Sequence, residues 1–105
     1  MTYEEREKYL DKLVELTREV MTSKGREYAA SDDCNANFKR MGMWLAMRPE
    51  LYAFTMVSKH LDWLHNYLQT KNEGVEGLDE RIKDIFAYMT IIYSLCKEEQ
   101  CGSTE

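Results

Sequence analysis

A chain of 105 residues with a formal net charge of -5 has room for one domain. Its acidic balance argues against a surface that grips extended nucleic acid, although a few local cations suffice to hold one phosphate. Three irregularly spaced cysteines, Cys34, Cys96 and Cys101, with no C-x-x-C pair, argue against both a disulfide framework and a structural zinc site.

The first predicted element is an amphipathic helix over residues 2–23. Thr2 followed by Glu5 is a capping-box pattern, and Tyr3, Leu10, Leu13, Val14, Leu16, Val20 and Met21 supply the apolar stripe. Gly25 is the expected left-handed cap that stops it. Residues 26–35 read as a loop, because Ser31, Asp32, Asp33 and Asn35 favour turns and caps. A second helix is expected from Asp33 or Asn35, carrying Phe38, Met41, Trp44 and Leu45 as far as Met47-Arg48-Pro49. Pro49 suits the first turn of a third helix, over 49–71, because its missing N–H is not needed there. Leu51, Phe54, Met56, Val57, Leu61, Leu64, Tyr67 and Leu68 form its broad apolar stripe. Residues 72–77, with Gly74 and Gly77, read as a linker. The fourth helix is expected over 78–98, burying Ile82, Ile85, Phe86, Met89, Ile92, Tyr93 and Cys96, with 99–105 as a frayed tail. No strand alternation is present. The expected fold is therefore all-α, a single domain forming a compact bundle of about four helices, with Trp44 and Trp63 in the core. A homo-oligomer that completes the modest core is also expected.

Several polar residues exceed what a plain bundle requires. Lys59, Asp62 and Asn66 share one stripe of the third helix, with His60 beside its apolar face. Arg81, Asp84 and Tyr88 share a stripe of the fourth. The first loop carries Lys24, Arg26, Glu27, Tyr28, Asp32 and Asp33, and Asn37 and Lys39 follow. The plainer reading makes Lys59–Asp62 and Arg81–Asp84 exposed ion pairs and His60 a satisfied core histidine. Metalloprotease, phosphate-loop and nucleophile-elbow motifs are missing. No catalytic residue, cofactor or metal ligand is assigned from the sequence.

The segments Gly25-Arg26-Glu27-Tyr28-Ala29, Asp32-Asp33, Asn37-Phe38-Lys39-Arg40, Ser58-Lys59-His60 and Glu80-Arg81-Ile82-x-Asp84-x-x-x-Tyr88, in that order, carry a resemblance. Together they resemble the nucleotide modification associated domain family, small helical proteins of bacteriophages and prophages. The resemblance spans roughly residues 10–95 and implies a polar pocket linked to nucleotides. Carried over, that pocket comprises Lys24 or Arg26, Tyr28, Asp32, Asn37, Lys59, His60, Arg81, Asp84 and Tyr88. The family is in turn similar to MazG-like pyrophosphohydrolases, whose E-x-x-E and E-x-x-D motifs hold magnesium. Here Glu4, Glu5, Glu15 and Glu19 are not spaced as an E-x-x-E among themselves, and Glu80-x-x-x-Asp84 is one residue too wide.

The leading expectation is a phage-type protein in the cytoplasm that binds a small phosphate-bearing nucleotide. It would sequester a cyclic-nucleotide or ADP-ribose-type immune signal as an anti-defence sponge. The alternative is a MazG-like nucleotide hydrolase or nucleotide-modification enzyme in which His60 acts as acid or base. A third reading, a protein-interaction module, requires an exposed apolar patch. The polar start, Met1–Leu10, does not read as a signal peptide. No run approaches the roughly 20 apolar residues of a membrane span.

Overall fold

The computed structural model describes residues 1–27, 33–72, 74 and 77–103; the side chains of 23–27 and 101–103 lie outside that description. Four helices follow in order: α1 (Tyr3–Glu27), α2 (Ala36–Trp44), α3 (Pro49–Thr70) and α4 (Leu78–Ser103). No strand occurs among the described residues, and the chain is all-α, as its periodicity predicts. No described helix is long and apolar enough to cross a membrane.

The helix ends follow local chemistry. The backbone N–H of Thr2 donates to Glu5 Oε2 at 3.1 Å, and the N–H of Glu5 donates to Thr2 Oγ1 at 3.1 Å. This reciprocal pair satisfies two donors that a helix start leaves open. Arg48 is extended and Pro49 opens α3, where a proline costs no hydrogen bond. Lys71 closes α3 in the left-handed region at φ 59°, its N–H donating to Tyr67 O at 2.6 Å. The predicted linker keeps a turn at Asn72, whose Oδ1 accepts from Gly74 N at 3.1 Å. Residues 73, 75 and 76 of that linker lie outside the described residues.

Two helices outrun their predicted ends. α1 continues through Gly25 to Glu27, so Gly25 does not cap it. A glycine inside a helix costs about 1 kcal/mol relative to alanine, which an established hydrogen-bond ladder absorbs. α4 passes Glu98 and reaches Ser103, helped by an ion pair between Arg48 and Glu99.

The α3–α4 pair is the centre of the molecule. The two helices are antiparallel, with Arg48 against Glu99 at one end and His60 against Arg81 further along. Ala53, Val57, Ala87 and Leu95 are the buried apolar residues between the elements. Among the described residues α1 packs on α4 and on neither other helix. It runs in the same direction as α4, with Lys12 Nζ 3.2 Å from Asp79 Oδ2 near the start of the contact. α2 packs on α3 at a close crossing. A Cβ on Gly42 would sit 2.7 Å from Met47 O and 3.2 Å from Pro49 N, so only glycine fits there.

Trp44 is not a core residue: 71% of it is exposed. Phe38 and Gly42 take the inward side of α2. Trp44, six residues beyond Phe38, falls about 120° away around the helix. It packs instead against its own neighbour, with the Arg40 guanidinium 6.0 Å from the ring centre. The predicted stripe of α3 also divides. Ala53, Val57 and His60 are buried, whereas Leu51, Phe54, Leu61 and Leu68 are exposed.

Candidate functional site

Polar chemistry collects where α3, α4 and the first turn of α2 meet. His60 and Trp63 lie three residues apart on α3 and therefore share a face. Arg81 reaches both of them from α4. Its guanidinium carbon stands 5.3 Å from the Trp63 ring centre, within cation–π range. One of its terminal nitrogens lies 3.2 Å from His60 Nδ1. Arginine only donates, so Nδ1 accepts and the neutral imidazole carries its proton on Nε2.

Aromatic rings extend this cluster in two directions. His60 and Tyr88 have ring centres 5.7 Å apart, Tyr88 meets Phe38 edge-on at 6.4 Å, and Phe38 meets Tyr52 at 6.0 Å. In the other direction Trp63 stacks on Tyr67, with 5.4 Å between centres and 3° between planes. The Lys71 ammonium lies 5.2 Å from the centre of Tyr67. A cation thus lies at each end of a two-ring stack. Burial holds the Tyr88 phenol above its ordinary pKa, and the charges of Asp84 and Tyr52 act the same way. Tyr88 therefore keeps its proton at neutral pH and can donate it in a hydrogen bond.

The predicted pocket residues divide into three groups. Arg81, His60 and Tyr88 are in one cluster, and Asp84 is one turn before Tyr88 on α4. Lys59 is exposed, one helical turn before Trp63 and so on the Trp63 side of α3. Neither plain ion pair forms: Lys59 does not bridge Asp62, and Arg81 turns to His60 and Trp63 rather than to Asp84. Asn37 is exposed on α2, its Oδ1 accepting from Arg40 at 3.0 Å. Tyr28 and Asp32 lie outside the described residues, as do the side chains of Lys24 and Arg26.

Lys39, beside the predicted set, has a structural role. Its ammonium lies 2.7 Å from Asp33 Oδ2 and 3.1 Å from Glu98 Oε2. Buried Asn35 donates to Ser94 Oγ at 3.2 Å, while its own N–H donates to Asp33 Oδ1 at 2.9 Å. This network fastens the start of α2 to the last third of α4. The Lys39 hydrogen bond, followed by that of Asn35, lowers the Asp33 pKa.

Carboxylates gather on the other flank of the α4 stripe. Lys83 pairs with Glu80 and also feels Asp84 and Glu19, and the hydrogen bond to Glu80 leads in raising its pKa. The ammonium supplies positive charge that a carboxylate cluster otherwise seeks from a dication. Among the described residues no group of three or more His, Cys, Asp or Glu side chains is placed to hold a metal ion. Cys34 and Cys96 are free thiols.

Sequence reasoning placed Trp63 in the core, whereas it is half-buried, and did not pair it with Arg81 or identify the Tyr67–Lys71 extension. The four-residue spacing of Trp63, Tyr67 and Lys71 was the available signal. No protein-family model, curated protein or solved structure matches the chain.

Proposed function

We propose that the chain is a nucleotide-binding protein that holds a small phosphate-bearing nucleotide at the Arg81–His60–Trp63 cluster and sequesters it intact. The observation that carries this reading is the placement of the Arg81 guanidinium against both the indole of Trp63 and the imidazole of His60. A guanidinium on an aromatic face brings positive charge for a phosphate beside rings on which a base stacks. Lys59 adds a second cation from the Trp63 side of α3, and the Tyr88 hydroxyl adds a donor for a sugar or base. Asp84 supplies an acceptor for a ribose hydroxyl.

Binding is favoured over conversion by the state of His60. The residue is 8% exposed and its Nδ1 accepts from Arg81, which suits a positioning role better than proton transfer with a substrate. The nucleotide class is a cyclic nucleotide or an ADP-ribose-type signal, the setting a phage-encoded anti-defence protein in a host cytoplasm, and the working state a homo-oligomer.

The test incubates purified protein with a nucleotide panel, then separates and heats it. The reading predicts that one nucleotide leaves solution and returns unchanged after denaturation. A converted product supports the hydrolase or modification alternative. If no nucleotide is depleted, the proposal is wrong.

A further inference from the structure

The α3–α4 pair has two broad sides, and α2 covers only one. That side is marked by Tyr52 on α3 and by Tyr88, Ser94 and Glu98 on α4, which meet Phe38, Asn35 and Lys39. On the far side, Leu78, Ile82, Ile85, Met89, Ile92 and Cys96 of α4 follow alternating four- and three-residue steps. Leu51, Phe54, Ser58, Leu61, His65 and Leu68 of α3 follow the same alternation. This is the heptad seam of helices that pack on other helices. None of these twelve positions is Asp, Glu, Lys or Arg, in a chain with 31% of such residues; two solvated stripes would carry several. Yet Phe54, Leu61 and Leu68 are 51%, 37% and 57% exposed, Met89 is 41% exposed, and the other α4 seam residues are only half-buried.

The area points to the occupant. The chain exposes 8139 Å², whereas a folded monomer of its 12.5 kDa mass exposes about 6,200 Å². The projecting start of α1, where residues 1–12 are all exposed, contributes part of this excess. A homodimer takes about 800 Å² or more from each protomer, an area that the total excess accommodates. A seam that is uncharged on both helices is complementary to itself, as a two-fold contact requires.

We propose that a second copy of this chain docks on the α3–α4 face away from α2, so that two α3–α4 pairs close a four-helix core. The test is sedimentation at micromolar concentration. Wild-type protein is expected at twice 12.5 kDa. The double variant Phe54→Glu/Leu68→Glu is expected at the single-chain mass with its helical spectrum retained, its dissociation constant raised at least about a hundred-fold. Met43→Glu, on exposed α2, is expected to stay paired. A single-chain wild type, a double variant that stays paired, or a Met43→Glu variant that dissociates overturns the proposal. Should the double variant lose its helices, hydroxyl-radical footprinting of the wild type decides. Met89 more protected at micromolar than at high-dilution wild-type concentration, with Met43 unchanged, supports the dimer, and Met89 reactivity that does not depend on concentration overturns it.

Discussion

The two sides of the α3–α4 pair differ in what covers them more than in how apolar they are. The side under α2 combines Ala53, His60 and Tyr88 with small and polar residues, and it is closed by Phe38 and by the Asp33–Lys39–Glu98 ties. The far side is a continuous stripe of larger apolar residues, and much of it faces solvent. A hydrophobic stripe therefore records that a helix needs a neighbour, without recording which neighbour or from which chain. The covered side also holds the polar chemistry, since Phe38 of α2 packs edge-on against Tyr88 and the Tyr88 ring lies beside His60.

The covered side is easiest to break at the α2–α3 crossing. Gly42→Ala puts a methyl group 2.7 Å from the Met47 carbonyl oxygen, a backbone atom that cannot swing aside. Overpacking of this kind costs about 1–3 kcal/mol. A thermal melt is expected to drop by several degrees, about 4–8 °C for each kcal/mol in a domain of this size. An unchanged melt would mean that α2 does not pack at Gly42.

The next effect is on binding rather than on folding. Arg81→Ala removes a charge-assisted contact of about 1.5–3 kcal/mol to phosphate. Titration calorimetry should then read nucleotide affinity at least about ten-fold weaker, with the helical spectrum intact. Lys59→Ala should weaken binding in the same direction. Equal affinity in both variants would leave Arg81 as a packing residue that stacks on Trp63.

The ties of α2 to α4 give a pH signature. Asp33 is depressed below 3.8 by its Lys39 and Asn35 hydrogen bonds. Its contribution is present above its unfolded pKa and disappears as pH falls through the lower folded value. Lys39 is raised above 10.5 by Asp33 and Glu98, so its contribution is complete below 10.5 and disappears as pH rises through the folded value. Denaturant melts of wild type and Asp33→Asn are expected to differ near neutrality and converge in acid. A gap that stays constant down to the acid limit would show that the pairing carries no stability. The smallest effect is expected at Trp44, which is largely exposed on α2. Trp44→Phe should shift stability by no more than about 0.5 kcal/mol.

These differences mark where the sequence was legible. The capping box at Thr2 and Glu5, the break at Pro49 and the polar stripe of Arg81, Asp84 and Tyr88 rest on spacings of a few residues, and local chemistry is readable from such spacings. The division of the α3 stripe was not legible. Leu61 and Leu64 look equivalent until α2 and α4 have taken their places. The Lys39–Glu98 pair and the Arg81–Trp63 stack join helices far apart in sequence, and periodicity carries no information across helices. Trp44 was misread because a tryptophan in an apolar run suggests burial, while its angle from Phe38 and Gly42 turns it outward.

The chain has two tryptophans, Trp44 and Trp63, so in the Trp44→Phe background the remaining fluorescence comes from the indole under Arg81. Titrating that variant with cyclic nucleotides and ADP-ribose-type compounds reports on the cluster itself. A saturating change in Trp63 emission with one nucleotide, shifted to at least about ten-fold higher concentration when Arg81→Ala is added, is the predicted result. Emission that stays flat across the panel, or a saturation curve that Arg81→Ala does not move, would contradict the assignment of this cluster as a nucleotide site.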